Sequence, residues 1–443
     1  MTLALRGALW LVVYLAAVIA PLFFMIVGDP PPARGFWMEL SAALGFVGLA
    51  MLGLQFVTTS RFGPISAPYG LDLVLKFHIQ ISYVAFAFLL IHPIILTVIT
   101  PLGSALVELD PTAVEADGVT GVLALGFVFL IIVTSVWREK LGLHYELWRI
   151  LHGLLGLAII VMSVWHIYLA NYYTDGPIRL AIWVAMSIVL IGMYANVRLI
   201  RPWQQLRRPW ILEAVEPQPG DTWQLKLRAD GHDGMQFEPG QFAWLTIDQS
   251  PYGIREHPFS FSSSAERGDL VSFGVKELGD FTSTIGEYEP GTRAYLDGPY
   301  GAFSYERNEA PGFVFVVGGI GITPVMSMLK TMADRGDQRP LKLIYANPSW
   351  DQVAFVDELE ELGEQLDLEV VHVLEEPPED WDDWGGETGM VTPEILERHL
   401  PAGEQRHEYF VCGPDPMMDA VEEALHDRGI PGDKVNLERF NFV

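Results

Sequence analysis

The first 208 residues are dominated by six long apolar stretches, Ala8–Val27, Trp37–Thr58, Leu71–Thr100, Val119–Trp137, Leu147–Ala170 and Ile178–Ile200. Each is close to the ~20 residues that cross ~30 Å of hydrocarbon as a helix, so the pattern predicts six membrane spans. The first stretch lacks a small-residue cleavage site and is followed by five more, which argues against a removable signal. After Arg208 the apolar positions alternate over short runs, such as Trp223–Leu227 and Phe242–Ile247, between the Pro-Gly pairs 219–220, 239–240 and 290–291. That pattern predicts a small antiparallel β-barrel over residues 209–305. From Pro311 onward the runs Phe313–Val317, Leu341–Tyr345, Leu368–Val373 and Glu408–Val411 alternate with helical segments. They predict a parallel α/β domain over residues 306–443. The acidic stretch Glu375–Glu387 reads as a surface loop.

Charge sharpens this division. Residues 1–208 carry 12 Lys or Arg against 10 Asp or Glu, leaving 16 and 45 of the chain's 28 and 55 for residues 209–443. So acidic a second half is soluble and repels anionic membrane surfaces and nucleic acid. Between the spans, one side receives Arg61, Arg138, Lys140, Arg149, Arg198, Arg201, Arg207 and Arg208. The other receives Asp29, Arg34, Glu108, Asp110, Glu115, Asp117 and Asp175. The positive-inside bias puts both termini, and the acidic half, in the cytoplasm of a multi-pass protein of the bacterial cytoplasmic membrane. The single cysteine, Cys412, excludes an intrachain disulfide and any cysteine-held iron–sulfur or zinc cluster.

Five of the 11 histidines lie in the apolar half. His78 and His92 share the third span, His152 and His166 the fifth, and both pairs are 14 residues apart. At ~100° and ~1.5 Å per residue, that spacing returns within ~40° of one face after ~21 Å of rise. The third and fifth spans run in the same direction, so His78 is expected to face His152 near the inner side and His92 to face His166 near the outer side. Two levels of facing histidines form the ligand set of two stacked bis-histidine haems, a ligation suited to electron transfer. A lone intramembrane histidine would read more readily as a helix-to-helix hydrogen-bonding group; four sharing spacing, direction and depth do not. His144 has no partner at matching depth. Lys76 and Arg149 stand near the inner pair, able either to neutralise haem propionates or to snorkel to headgroups.

The second half holds a set of short motifs. His257-Pro258-Phe259-Ser260-Phe261-Ser262-Ser263 can present backbone and hydroxyl groups to an isoalloxazine edge. Val275-Lys276-Glu277-Leu278-Gly279-Asp280-Phe281-Thr282 is predicted to end at a helix N-terminus suited to a pyrophosphate. Asp297-Gly298-Pro299-Tyr300-Gly301 forms a tight turn. In the α/β domain, the strand Phe313–Val317 runs into Gly318-Gly319-Ile320-Gly321-Ile322-Thr323-Pro324, a glycine-rich strand-to-helix turn open to a nucleotide. Val411-Cys412-Gly413-Pro414 closes another strand at the same carboxyl edge.

Together these motifs resemble the ferredoxin-reductase superfamily, and joined to a six-helix domain with paired histidines the chain resembles the NADPH oxidase and ferric reductase family, in particular its compact bacterial members. The resemblance implies a Rossmann-like nucleotide domain, FAD, two b-type haems, NADPH or NADH as donor, and outward electron flow. It implies that His257, Pro258, Phe259 and Ser260 hold FAD, with Lys276, Gly279, Phe281, Thr282 and Gly298 beside it. Gly319, Gly321, Thr323 and Pro324 would cradle the nicotinamide nucleotide, while Cys412 and Gly413 flank the hydride path. Relatives end in an aromatic ring that stacks on the flavin, which favours Phe440 over Phe442. Many relatives place a basic residue after the strand Leu343–Ala346, where this chain has Pro348, so NADH or dual use is open alongside NADPH. The acceptor is open between dioxygen, giving superoxide, a ferric chelate or other metal, and a periplasmic partner protein; no partner protein is required, and none is a nucleic acid.

Overall fold

The computed structural model describes residues 3–26, 31–60, 70–99, 116–253, 255–307, 309–378 and 385–439. They form two compact units, Met1–Arg201 and Pro202–Val443.

Unit 1 is built from α1 (Leu3–Ile26), α2 (Phe36–Thr58), α3 (Leu71–Ile99), α4 (Ala116–Val136), α5 (Tyr145–Ala170) and α6 (Pro177–Ala195). All six are long and apolar enough to cross a membrane. The sixth does not stop where its apolar run ends. It continues through a π-turn, Asn196–Ile200, into a short helix α7, Arg201–Leu206. The helices are apolar all round, as lipid-facing helices must be, and leave side chains such as Leu15, Ile94 and Val161 exposed on the isolated chain. They pack through small residues. A Cβ on Gly48 of α2 would sit 2.9 Å from Leu89 Cγ and 3.3 Å from the Ala85 carbonyl of α3, so the bare glycine lets the two backbones approach. The fifth helix ends at Asn171, which takes a left-handed conformation (φ 44°) and donates its N–H to the Ile167 carbonyl.

Unit 2 carries two sheets. The first comprises β1 (Trp210–Gln218), β2 (Thr222–Ala229), β3 (Phe242–Ile247), β4 (His257–Ser260), β5 (Leu270–Lys276) and β6 (Arg293–Tyr300), in the order β4-β3-β6-β1-β2-β5, with every pair antiparallel. The expected barrel is here a six-stranded antiparallel sheet that does not close along a ladder. Its edge strands β4 and β5 approach at a single bridge, Phe261–Phe273, reinforced by Ser262 N–H donating to the Ser272 carbonyl at 2.7 Å. The reason lies in the serines that follow β4. Ser263 Oγ accepts the Ser272 N–H at 3.1 Å, and the Ser262 and Ser272 hydroxyls bond each other at 2.9 Å, so side chains occupy ladder positions that backbone groups would need for closure.

The second sheet is wholly parallel: β7 (Phe313–Gly318), β8 (Leu341–Ser349), β9 (Leu368–Glu376), β10 (Glu387–Thr388), β11 (Glu408–Cys412) and β12 (Val435–Glu438), in the order β10-β9-β8-β7-β11-β12. Helices α8 (Ile322–Asp334), α9 (Val356–Gln365), α10 (Pro393–His399) and α11 (Asp415–Asp427) connect its strands. β7 and β11 are buried at every residue, as expected of strands covered on both faces. Chain order runs outward in both directions from the β7–β11 pair, which makes that pair the topological switch point of the sheet. Both sheets share contacts inside unit 2: Ala265 N–H donates to Thr331 Oγ1 at 2.9 Å, and Gln224 Nε2 to Glu358 Oε1 at 3.0 Å.

Candidate redox site

In unit 1, α3 and α5 bring the four intramembrane histidines together as two facing pairs. The ring centroids of His78 and His152 are 6.2 Å apart, and those of His92 and His166 are 6.4 Å apart. An iron held between two imidazole nitrogens by bonds of ~2 Å would need ring centroids about 6 Å apart, so the residues fit the group.

What surrounds the rings strengthens the fit. His92 Nδ1 lies 2.8 Å from the Ser41 carbonyl, and His166 Nδ1 lies 2.7 Å from the Asp117 carbonyl. A carbonyl can only accept, so each Nδ1 carries the proton and each Nε2 keeps a lone pair for a metal. The Ser41 hydroxyl donates to the His92 carbonyl at 2.8 Å, fastening α2 to α3 beside Pro93, whose own nitrogen has no hydrogen to give. His152 Nδ1 meets the Ser135 hydroxyl at 3.1 Å. Two glycines make room for the outer rings: a Cβ on Gly45 would meet the His92 ring at 3.4 Å and one on Gly121 the His166 ring at 3.0 Å. Sequence reasoning missed Ser41, Gly45, Asp117, Gly121 and Ser135, because they sit on α2 and α4, helices with no histidine, and two of them act through backbone carbonyls.

In the antiparallel sheet, β4 carries His257, Pro258, Phe259 and Ser260 beside β3. The row Pro258–Trp244–Asp297 runs in register across β4, β3 and β6, which brings Gly298 to the level of the β4 motif. His257 and Phe281 stack with centroids 4.0 Å apart and planes 11° apart, and Phe259 lies 6.2 Å from the same Phe281 ring. Lys276 ends β5. The helix start expected at the end of this segment falls at Thr282, in a short 3-10 form. Thr282 opens a six-residue 3-10 turn, Thr282–Glu287, not an α-helix, and its hydroxyl accepts the N–H groups of Leu278 and Gly279 at 2.8 and 2.9 Å. The Thr282 side chain thus ties down the loop that leads into the turn.

At the switch point of the parallel sheet, Gly319–Gly321 links β7 to α8, with Gly319 at φ 52°. Gly321 meets the end of β11: a Cβ there would lie 2.3 Å from the Cys412 carbonyl oxygen and 3.0 Å from the Gly413 nitrogen. The two motifs, about 90 residues apart in sequence, therefore meet at the carboxyl edge of β7 and β11, the position at which open parallel sheets bind ligands in a crevice. Thr323 and Pro324 are buried. The Thr323 hydroxyl donates to the Ile320 carbonyl at 2.9 Å and fits beneath Gly274 of β5, whose absent side chain leaves it room. The Cys412 side chain is 1% exposed and packs in the core, where burial pushes its thiol pKa up and the Glu438 carboxylate adds to the shift. Phe440 and Phe442 lie outside the described residues.

Comparison with known proteins follows the same lines. A ferric reductase like transmembrane component matches residues 44–163, an FAD-binding domain residues 212–304, and an oxidoreductase NAD-binding domain residues 315–423. The reductase component of propane 2-monooxygenase from Mycolicibacterium goodii is 32% identical over 234 residues, 51% of this chain and 66% of that protein. The NADH-cytochrome b5 reductase 1 of Lodderomyces elongisporus is 31% identical over 234 residues, 51% of this chain and 73% of that protein. This chain thus spans about two thirds of the length of the curated relatives it matches. A solved FAD/NAD binding domain of nitric oxide dioxygenase from Vibrio cholerae is 21% identical with a TM-score of 0.47, covering 53% of this chain and 98% of that one. With six apolar helices carrying paired histidines, followed in the sequence by a two-sheet unit matched by FAD- and NAD-binding domains, the chain belongs to the ferric reductase-like transmembrane family with a ferredoxin-reductase-type FAD/NAD domain.

Proposed function

We propose that this chain oxidises a reduced nicotinamide on the cytoplasmic side of a bacterial inner membrane and delivers the electrons singly, by way of FAD and two b-type haems, to dioxygen on the other side, producing superoxide. The observation that carries the reading is the pair of histidine levels, 6.2 and 6.4 Å between rings, with Nδ1 held by acceptors at three of the four histidines. When bound, flavin accepts a hydride and releases single electrons, and bis-histidine haem passes them on without an open site.

The rest is positioning by the chain's own groups. Three domains divide the work: 1–208 for the haems, 209–305 for FAD and 306–443 for the nicotinamide nucleotide. His78 with His152 and His92 with His166 hold the two irons. Residues 257–260, with Lys276, Gly279, Phe281, Thr282 and Gly298, hold the flavin, and Phe440, outside the described residues, is assigned as its stacking ring from the resemblance to relatives that end in such an aromatic. The crevice of Gly319, Gly321, Cys412 and Gly413 receives the nicotinamide nucleotide, with Thr323 and Pro324 bracing the turn from below.

The preferred donor in this reading is NADH. After Asn347, β8 and the turn that follows present Pro348, Ser349, Trp350 and Asp351, with no cation to pair a 2′-phosphate. A relative that matches bears NADH in its name. A second acceptor, a ferric chelate, is favoured by the family match of residues 44–163; a periplasmic partner protein is the third. The deciding experiment supplies purified protein with NADH and compares superoxide-dismutase-sensitive cytochrome c reduction with ferric-chelate reduction in the absence of oxygen. Iron reduction without any dismutase-sensitive signal would replace dioxygen by ferric ion as the acceptor.

A further inference from the structure

The four histidines are not supported alike. At the outer level both Nδ1 atoms are held by backbone carbonyls, those of Ser41 and Asp117, which no side-chain substitution removes; the Ser41 hydroxyl also lies 2.9 Å from His92 Nδ1, beside that carbonyl. At the inner level His78 Nδ1 is buried with no partner among the described residues, and His152 Nδ1 meets a side chain, the hydroxyl of Ser135 on α4. The inner level is therefore the one at which, among the described residues, a replaceable side chain holds a ligand Nδ1 with no backbone carbonyl beside it.

Ser135 has three polar neighbours. Its Oγ lies 2.6 Å from the Ile131 carbonyl, 3.3 Å from Trp148 Nε1 and 3.1 Å from His152 Nδ1. A hydroxyl has one hydrogen and two lone pairs. The Ile131 carbonyl can only accept, so it takes the hydrogen. The indole N–H can only donate, so it takes one lone pair. What remains for His152 is the second lone pair, and Nδ1 must supply the proton. The Trp148 ring also lies against the imidazole, 5.1 Å between centroids, limiting its rotation.

From this arrangement we infer that Ser135, held in place by Trp148 and the Ile131 carbonyl, is the positioning residue of the inner haem: it keeps His152 in the tautomer whose Nε2 can bind iron and sets how strongly that nitrogen donates. The inference rests on the two-haem reading above. An acceptor at Nδ1 makes the opposite nitrogen more basic, and hydrogen bonding around an axial ligand is one of the levers on haem potential. Removing the hydroxyl weakens donation, favours the reduced iron and raises the midpoint potential of that haem. The outer haem, whose ligands bond to carbonyls, serves as the internal control.

The test is a redox titration of the full chain in detergent, followed through the haem absorbance bands and low-spin electron paramagnetic resonance, for wild type, Ser135→Ala and Ser135→Thr. The expected result is that Ser135→Ala moves one haem component to higher potential and alters its g values, leaves the other in place, and that Ser135→Thr restores both. An unchanged pair of components overturns the inference, as does a shift in the component that His92→Ala removes. If Ser135→Ala cannot retain the inner haem, Trp148→Phe supplies the test, because it keeps a ring against His152 and deletes the N–H to Ser135. A smaller shift confined to the inner component supports the assignment, and an unmoved inner component rejects it. A wild-type protein with fewer than two bis-histidine signals would instead defeat the two-haem reading itself.

Discussion

Gly321 stands so close to Cys412 that a Cβ on it would come within 2.3 Å of the Cys412 carbonyl oxygen. A side chain there fits only if the two backbones move apart at the sheet's switch point. Overpacking of this kind costs ~1–3 kcal/mol, roughly 5- to 150-fold in an equilibrium constant. Gly321→Ala is therefore expected to lower kcat/KM for the nicotinamide about tenfold or more, with flavin content unchanged. Steady-state reduction of a soluble dye measures it, and wild-type kinetics in the variant would show that the contact is not part of the nucleotide site.

The outer histidines should separate the two halves of the electron path. His92→Ala or His166→Ala leaves one ligand where two are needed, so the protein is expected to retain about half the wild-type haem and to lose transmembrane reduction. Nicotinamide-to-dye activity in the second unit should persist near wild-type rate. A pyridine haemochrome assay beside the dye assay checks both; two full haems in either variant would remove these residues from the ligand set.

Donor choice follows from the end of β8. With Pro348 exposed and no cation among Pro348, Ser349, Trp350 and Asp351, NADH is expected to exceed NADPH in kcat/KM by about tenfold, the worth of roughly one charge-assisted hydrogen-bond pair to a phosphate. Pro348→Arg should narrow or reverse the ratio by improving NADPH while touching NADH little. Equal constants for the two donors in the wild type would refute the preference.

Burial of Cys412 makes a prediction about pH. Its folded-state pKa is raised, so the thiol stays protonated as pH climbs past the value an unfolded chain would show. The stability this group contributes is thus present below the unfolded thiol pKa, ~8.5, and is lost as pH rises above it. Iodoacetamide at pH 8 to 9 should leave the native protein unlabelled and label one site after denaturation, since the chain has a single cysteine. Rapid labelling of the native form, read by mass spectrometry, would contradict the buried placement.

Much of this organisation was readable from residue order. A 14-residue spacing on two parallel helices leaves little freedom: helix geometry alone puts His78 and His92 on one face of α3 and His152 and His166 on one face of α5, at two depths. Alternating runs and Pro-Gly pairs likewise announced an antiparallel sheet, and the apolar runs after Pro311 a parallel one. Periodicity did not reach sheet closure, because the serines after β4 spend side-chain hydroxyls on ladder positions, a choice made only when β4 and β5 meet. It also missed the capture of the Leu278 and Gly279 N–H groups by Thr282.

The sequence by itself therefore determined the spans, the pairing of histidines by depth and the order of the two nucleotide motifs, since each depends on local periodicity or on residue type. The tertiary structure decided what lies behind each histidine and what lies between the motifs. Ser41, Asp117 and Ser135 carry no recognisable pattern, and backbone carbonyls have no residue type at all. Contacts such as these, and that of Gly321 with Cys412, exist only once helices and strands distant in the chain have packed together.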